Sequence, residues 1–381
     1  MKRFFSYSIL SFFLLLLPTG QASANNNDSI RLSLLTCAPG EEIYSLFGHT
    51  AIRYENSSQG IDVVFNYGLF SFNTPNFIFR FSLGETDYQL GATDYERFAA
   101  EYAFFGRSVW QQTLNLTDEE KTELIRLLQE NYRPENRVYR YNFFYDNCAT
   151  RPRDKIEESI AGKVIYPAEP QDGSLTFRDI VHQYCKGHPW ARFGIDLCIG
   201  SEADQPITQR QMMFAPFYLM DAFDGAQIKG DSIQRPLITA NELIVDATPE
   251  PDESDWMPTP LQCSLLLFIL TAAATIYGIR RRTGLWGIDL FLFGIAGIVG
   301  CVLAFLALFS QHPAVSSNFL LLVFHPGQLL FLPYIIYCVR KGKKCWYLTL
   351  NLAVLTLFIV LFPVIPQRFD FAVVPLSLIH I

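Results

Sequence analysis

The sequence carries no surplus of positive charge. Its 30 lysines and arginines are outnumbered by 37 aspartates and glutamates, for a net charge of −7. A nucleic-acid backbone would meet no basic footprint, so that class of partner is set aside. No two cysteines have the CxxC spacing of a zinc ribbon, which removes that structural metal reading. No internal repeat is visible. Apolar residues are plentiful at 50%, with 15% aromatic, but they are unevenly spread. They gather in residues 5–17 and again after residue 261.

The first cluster reads as a secretory leader over residues 1–24. Lys2 and Arg3 supply the positive start, Ile9 to Leu17 the apolar run, and Ala22-Ser23-Ala24 the small-residue cleavage site. Cleaved or retained as an anchor, it exports everything from residue 25 onward. The second cluster contains four stretches long enough to cross a bilayer, at 261–279, 284–309, 319–339 and 345–365. The basic loops Arg280-Arg281-Arg282 and Arg340 to Lys344 fall between the first and second and between the third and fourth. Positive loops stay in the cytoplasm, which puts the loops 310–317 and 366–370 outside with residues 25–256. A fifth apolar stretch from Phe371 to Ile381 is too short to span. It is expected either to continue beyond the sequence given or to lie at the membrane surface. The C-terminal part is therefore an all-α bundle of four to five transmembrane helices over 261–381. An acidic, proline-rich linker over 248–260 joins it to the exported part.

The fold class is α+β. Arg31 to Thr36, Gly48 to Tyr54, Asp62 to Tyr67, Gln111 to Leu116 and Arg137 to Phe144 read as strands. Thr117 with Glu120 forms a capping box ahead of Leu124, Leu127 and Leu128, which predicts a helix reaching Tyr132. Arg153 to Ile160, Thr176 to Tyr184 and Ile207 to Phe223 read as helices, and Leu237 to Val245 ends in a strand. One exported domain over 25–247, with a helical second half, accounts for these elements.

Two segments carry chemistry. In Phe47-Gly48-His49-Thr50 a histidine enters an apolar strand. In Tyr145-Asp146-Asn147-Cys148-Ala149-Thr150-Arg151 a cysteine sits between a strand and a helix. Pro152 belongs in the first helical turn, so Cys148 lies just before or at the helix start. There the free backbone N–H groups stabilise a thiolate and can hold an oxyanion. An imidazole nearby takes the proton and returns it. The competing reading is a structural thiol or a disulfide with Cys37, Cys185 or Cys198, whose pairing cannot be read from spacing.

The order of these parts, a histidine on a strand, a polar residue on the next strand and then Asn-Cys opening a helix, resembles the circularly permuted papain-like enzymes. That superfamily includes bacterial cell-wall endopeptidases and the lecithin:retinol acyltransferase group. Cys37-Ala38-Pro39-Gly40, Phe47-Gly48-His49, Phe65-Asn66-Tyr67-Gly68 and Asn147-Cys148-Ala149-Thr150-Arg151, followed by the C-terminal helices, look like the Lnb-type bacterial lipoprotein N-acyltransferases. The resemblance covers nearly the whole chain. It implies an enzyme of the bacterial inner membrane with its catalytic domain in the periplasm. Such an enzyme moves an acyl chain from a phospholipid to the α-amino group of a diacylglyceryl-cysteine lipoprotein, with no cofactor and no metal. Carried over, Cys148 is the nucleophile and thioester carrier, and His49 is the base and then the acid. Asn66 is the orienting residue, with Asp62 on the same strand as its competitor. Arg53, Tyr145, Asn147 and Arg151 are candidate substrate contacts.

Other readings stand beside these. A membrane-anchored papain-like peptidase or cell-wall amidase would use the same Cys-His pair, and a non-catalytic assembly module would tie up Cys148 in a disulfide. The aromatic run Phe65, Phe70, Phe72, Phe77, Phe79 and Phe81 either lines a groove for an acyl chain or is ordinary core. Asp146 is an N-cap or an acid. His325-Pro326 is either functional or a helix break, and His182 and His188 near Cys185 lack a full metal set.

Overall fold

Apolar residues at two-residue spacing build the first sheet. The computed structural model describes residues 29–70, 75–167, 175–230, 234–247 and 256–379. The leader, Phe72 and most of the 248–260 linker lie outside the described residues. The strands are β1 (Ile30–Cys37), β2 (His49–Asn56), β3 (Ile61–Leu69), β4 (Asp87–Asp94), β5 (Val109–Leu114), β6 (Val138–Arg140), β7 (Lys163–Ile165), β8 (Gln227–Lys229), β9 (Gln234–Pro236) and β10 (Ile238–Val245). Seven of them form one antiparallel sheet in the order β10-β5-β1-β2-β3-β4-β6, and β7, β8 and β9 form a small second one. In the first half of the chain the helices are α1 (Phe77–Leu83), α2 (Tyr95–Phe104), α3 (Asp118–Tyr132) and α4 (Thr150–Ser159).

The strand period sends successive residues to opposite faces. Leu32, Leu34 and Ile52 pack on one face against Leu124 and Leu128 of α3 and Ile156 of α4. Leu35, Cys37, Ala51 and Val64 pack on the other against Phe98 of α2. The capping box expected at Thr117 is present, with Thr117 and Glu120 satisfying each other's backbone N–H groups.

The second half of this domain adds α5 (Phe177–Tyr184), α6 (Pro189–Cys198), α7 (Gln209–Met212) and α8 (Pro216–Asp224). The single helix expected from Ile207 to Phe223 is thus two. Pro216 has no N–H to continue a helix and instead opens the next one. The strand expected from Arg137 to Phe144 stops at Arg140, because Asn142 and Asp146 then bond to each other across a tight turn.

The C-terminal region contains α9 (Pro260–Arg281), α10 (Trp286–Phe309), α11 (Gly327–Leu330), α12 (Leu332–Lys341), α13 (Trp346–Leu361) and α14 (Val373–Leu378). Among the described residues, α9 and α10 are long and apolar enough to span a bilayer by themselves. The third stretch is not one straight helix: Phe319–Leu330 and Leu332–Lys341 meet at 72°. The bend follows His325-Pro326, and the side-chain amide of Gln328 donates to the carbonyl of Val323 at 2.8 Å. Groups freed by a break inside apolar surroundings need such partners. At 16 residues α13 is shorter than the apolar stretch 345–365 that contains it.

Both loops expected outside the membrane dock on the N-terminal domain. Gly200 N–H donates to the Ala314 carbonyl at 2.6 Å, and Ser201 N–H to Ser317 at 2.9 Å. The Asn318 amide donates to the Leu197 carbonyl at 2.7 Å, and Gln367 to that of Ile199 at 3.2 Å. A Cβ on Gly200 would stand 2.4 Å from the Ser317 carbonyl oxygen, so glycine alone permits this approach. Arg368 spans Asp179 at 2.5 Å and Asp204 at 3.0 Å. Behind this seam lies Arg178, fully buried and paired with Asp196 at 2.6 Å and Asp204 at 2.9 Å. The domain is therefore fixed to the helices by its own surface as well as by the covalent chain.

Candidate active site

Cys148 owes its position to the residue before it. Asn147 is buried, and its Oδ1 accepts from the backbone N–H groups of Ala149 at 2.8 Å and Thr150 at 3.0 Å. Its amide donates to the carbonyls of Phe143 at 2.9 Å and Phe214 at 2.8 Å. Every polar atom of that side chain is used inside the fold. Asn147 thus opens α4 in the manner of an N-cap and holds the cysteine loop against the 214 segment. Asp146 does not cap. It forms a bidentate pair with Arg151 at 2.6 and 2.7 Å, and that guanidinium lies 3.5 Å over the Tyr139 ring. Tyr145 is exposed and packs edge-on against Phe177.

Cys148 is half-buried, and all eight cysteines of the chain are free thiols. Its neighbours come from the ends of β2 and β3. A Cβ on Gly68 would sit 3.5 Å from the Cys148 Cβ, and Gly68 has φ of +89°, a conformation other residues rarely adopt. It falls where the β3–β4 register shifts between Asn66 and Leu69, which turns the strand end aside for the cysteine. Burial pushes the Cys148 thiol up to about 11, while the backbone N–H groups of Thr50 and of Cys148 itself pull it back.

His49 enters β2 opposite Cys37 and next to Thr50. Its Nε2 lies 3.2 Å from Asn66 Oδ1. An amide oxygen only accepts, so Nε2 carries the proton and Nδ1 keeps its lone pair. Burial lowers the imidazole to about 4; Asn66 raises it and the Arg107 guanidinium lowers it further. Of the two candidates for the third position, Asn66 meets the histidine. Asp62 instead forms a bidentate pair with Arg53 at 2.8 and 2.6 Å. Arg53 also donates to Gln111 at 2.8 Å and stacks 3.4 Å over Tyr95, so its guanidinium is engaged within the domain. Cys37 lies nearby but is fully buried, and burial holds its thiol up at about 12.

The structure thus joins His49 to Asn66 and brings Cys148 to Thr50, the residue after the histidine. Among the described residues no hydrogen bond runs directly between Cys148 and His49. Three groups at the site escape sequence reasoning. The Thr50 N–H is a backbone atom and has no sequence signal. Arg107 is distant in sequence. Tyr139 lies inside a strand-like run, yet its hydroxyl is buried with no hydrogen-bond partner among the described residues. A Cβ on Gly68 would be 4.0 Å from that oxygen, so it faces the same small space as the cysteine. A separate cleft lined by Asp179, His182, Cys185 and Arg192 shares no residue with this site, and His182 there is paired with Asp196 at 2.9 Å.

A chemical test of the orienting role follows. Asn66→Ala removes the acceptor that fixes the ring and is expected to lower kcat about 10²-fold with little change in KM. Asn66→Asp restores an acceptor and adds a charge, so activity returns in part and the acid limb of the pH profile moves up. Unchanged kcat in Asn66→Ala would remove Asn66 from the site.

Two family models match the chain. The model of the Lnb N-terminal periplasmic domain matches residues 20–182, and that of the Lnb transmembrane domain matches residues 252–381. No curated protein and no solved structure matches it. Both matched segments fall on the two regions seen in the fold, the sheet-rich domain and the apolar helices. The chain belongs to the Lnb-type proteins, as a membrane protein with a periplasmic domain.

Proposed function

We propose that the protein is a lipoprotein N-acyltransferase of the bacterial inner membrane working through a thioester on Cys148. The observation that carries this reading is a free, half-buried cysteine at the opening of α4, beside the paired strands β2 and β3 that bear His49 and Asn66. It stands on a domain seated directly on apolar helices, where lipid donor and lipid-anchored acceptor are both within reach.

In the first half-reaction His49 Nδ1 takes the Cys148 proton, and the sulfur attacks the ester carbonyl of a phospholipid. The tetrahedral oxyanion faces the N–H groups of Cys148 and Thr50 and the unpartnered Tyr139 hydroxyl. Collapse forms the acyl-thioester and expels the lysophospholipid alcohol, which receives the proton from His49. In the second, the amine of a diacylglyceryl-cysteine attacks the thioester. Its proton passes to His49, the amide forms and the thiol is restored. Thiol and imidazole both rest neutral, so the ion pair exists only during transfer. A ring rotation of His49 or an intervening water completes the path between the two side chains, since catalytic contacts commonly tighten only with substrate bound. Arg53, Asn147 and Arg151, already engaged within the fold, serve as positioning residues in this reading; Tyr145, exposed beside the cysteine loop, is the one of the four that can meet substrate.

Intact-mass analysis of the purified full chain after incubation with phospholipid vesicles tests the reading. One acyl adduct on Cys148, discharged by a synthetic diacylglyceryl-cysteine peptide, is expected. Discharge by water alone at the same rate, with no acyl peptide formed, would favour a hydrolase instead. The neutral resting pair also predicts a loading rate that is level from about pH 5 to about pH 10. Below that range the imidazole, lowered to about 4, becomes protonated and can no longer accept. A rate that rises steeply through neutrality would contradict the neutral pair.

Tyr139→Phe removes a hydroxyl that has no hydrogen-bond partner among the described residues, so it should leave thermal stability unchanged. Loading should fall roughly 10-fold or more if that oxygen helps hold the oxyanion. Full loading in this variant assigns the oxyanion to the two backbone donors alone.

A further inference from the structure

The short helix α1 is built unlike the rest of the domain. None of its seven residues is buried. Ile78, Phe79 and Phe81 are 80%, 58% and 46% exposed. Its one charged residue, Arg80, is tied back to Asp87 at 2.9 Å and to the Glu85 carbonyl. A surface with three large apolar side chains turned outward and its one cation held by a neighbouring carboxylate is unsuited to water.

The surroundings of α1 identify what covers it. The helix lies on the outer end of α10. Phe79 packs against Phe305 with ring centroids 5.8 Å apart, and Gln311 N–H donates to the Leu83 carbonyl at 2.8 Å. The His312 ring bonds the Phe81 carbonyl at 2.5 Å. Phe305 stands one helical turn inside the end of α10 at Phe309. That places the Phe79 ring roughly 6 Å inside the helix end, at the depth where apolar faces enter the acyl boundary of a leaflet, while the Phe81 and Leu83 carbonyls meet the loop just beyond it.

From α1 a row of rings runs inward. Phe81 stacks on Phe77 at 6.0 Å, Phe77 on Phe70 at 5.8 Å, Phe70 meets Tyr88 at 5.1 Å and Tyr88 stacks on Tyr141 at 4.2 Å. Tyr141 is the ring edge beside Gly68, where the Cys148 Cβ also lies. The row thus begins on the exposed apolar face of α1 and ends beside Gly68, where Cys148 also lies.

We propose that α1 and the aromatic row behind it are the entry for the acyl chain of a membrane phospholipid, guiding its ester sideways out of the outer leaflet to Cys148. The proposal rests on the reading of Cys148 as the acyl-carrying nucleophile and adds the route and the binding surface. Four of its six rings, Phe70, Phe77, Phe79 and Phe81, come from the run that sequence alone leaves open between groove and core; Tyr88 and Tyr141 belong to other segments.

The test compares two donors on the full-length protein in nanodiscs. One is a phospholipid and the other p-nitrophenyl acetate, which has no chain to guide. Phe79→Glu puts a charge on the entry and is expected to lower the phospholipid-to-acetate loading ratio at least tenfold. Phe79→Leu keeps the apolar face and should hold the ratio within about threefold. In the Cys148→Ala protein, a phospholipid with a diazirine in its acyl chain should label the 75–92 segment as well as the membrane helices. An unchanged ratio in Phe79→Glu, or label confined to residues 260–379, overturns the entry. A wild-type protein loaded by neither donor overturns the nucleophile reading instead, so the two failures are distinguishable.

Discussion

Cells whose sole copy of this protein carries Cys148→Ala are expected to accumulate lipoproteins with a free N-terminal amine. Mass spectrometry of the N-terminal peptides should find the third acyl chain missing, with the two glyceryl chains retained. The expected loss in turnover is roughly 10⁴-fold or more, because removing the nucleophile of such a unit removes nearly all its effect. His49→Ala should fall almost as far, and the double variant should fall no further than Cys148→Ala. Additive losses would mean that the two residues do not act on the same proton. Triacylated peptides at normal abundance in Cys148→Ala cells with no second enzyme would end the acyltransferase reading. Protein abundance should be unchanged, since the half-buried thiol has no disulfide partner to lose.

Arg178→Met should produce the largest loss of stability. The guanidinium has no exposed surface and donates to Asp196, Asp204 and the carbonyls of Ile199 and Gly200. Removing it leaves Asp196 with His182 and Asp204 with Arg368 as their remaining partners and breaks a buried charge network, which costs about 3–5 kcal/mol. For a domain of this size that corresponds to a fall in melting temperature of roughly 6–20 °C. Gly200 also supports the seam with the loop 310–318, so the same variant should speed proteolysis of that loop in detergent. A shift of under about 2 °C would show that the network is relaxed without its arginine.

The comparison between sequence and fold divides along distance in the chain. The helix at Thr117 was legible because its capping box is complete within four residues. Of the four apolar stretches read from length, α9 and α10 are helices long enough to span by themselves, and the third bends by 72° shortly after His325-Pro326. Asn147 reads from sequence as a substrate contact because its partner, the Phe214 carbonyl, is 67 residues away. Arg53 reads as a substrate contact for the same reason: Gln111, which it bonds, is 58 residues on. The segment Phe77–Leu83 has apolar residues at nearly every position, so no helical period stands out. Its helix is explained only by α10, more than 200 residues later. His49 and Cys148 were found because each sits in a local context that advertises reactivity. Their relation through Thr50 depends on strand register, which local pattern does not determine.

The seating of the periplasmic domain on the loops 310–318 and 366–370 has a kinetic consequence. A reactive group held at constant height over the bilayer meets its reactants by lateral diffusion, not by diffusion through bulk water. The relevant concentration is then the mole fraction of each lipid species in the plane. Diluting proteoliposomes tenfold in buffer should leave the turnover of each vesicle unchanged, whereas diluting the donor within the bilayer should slow it in proportion. Crowding of the membrane surface, more than the amount of protein in the cell, would then set how fast newly arrived lipoproteins are finished.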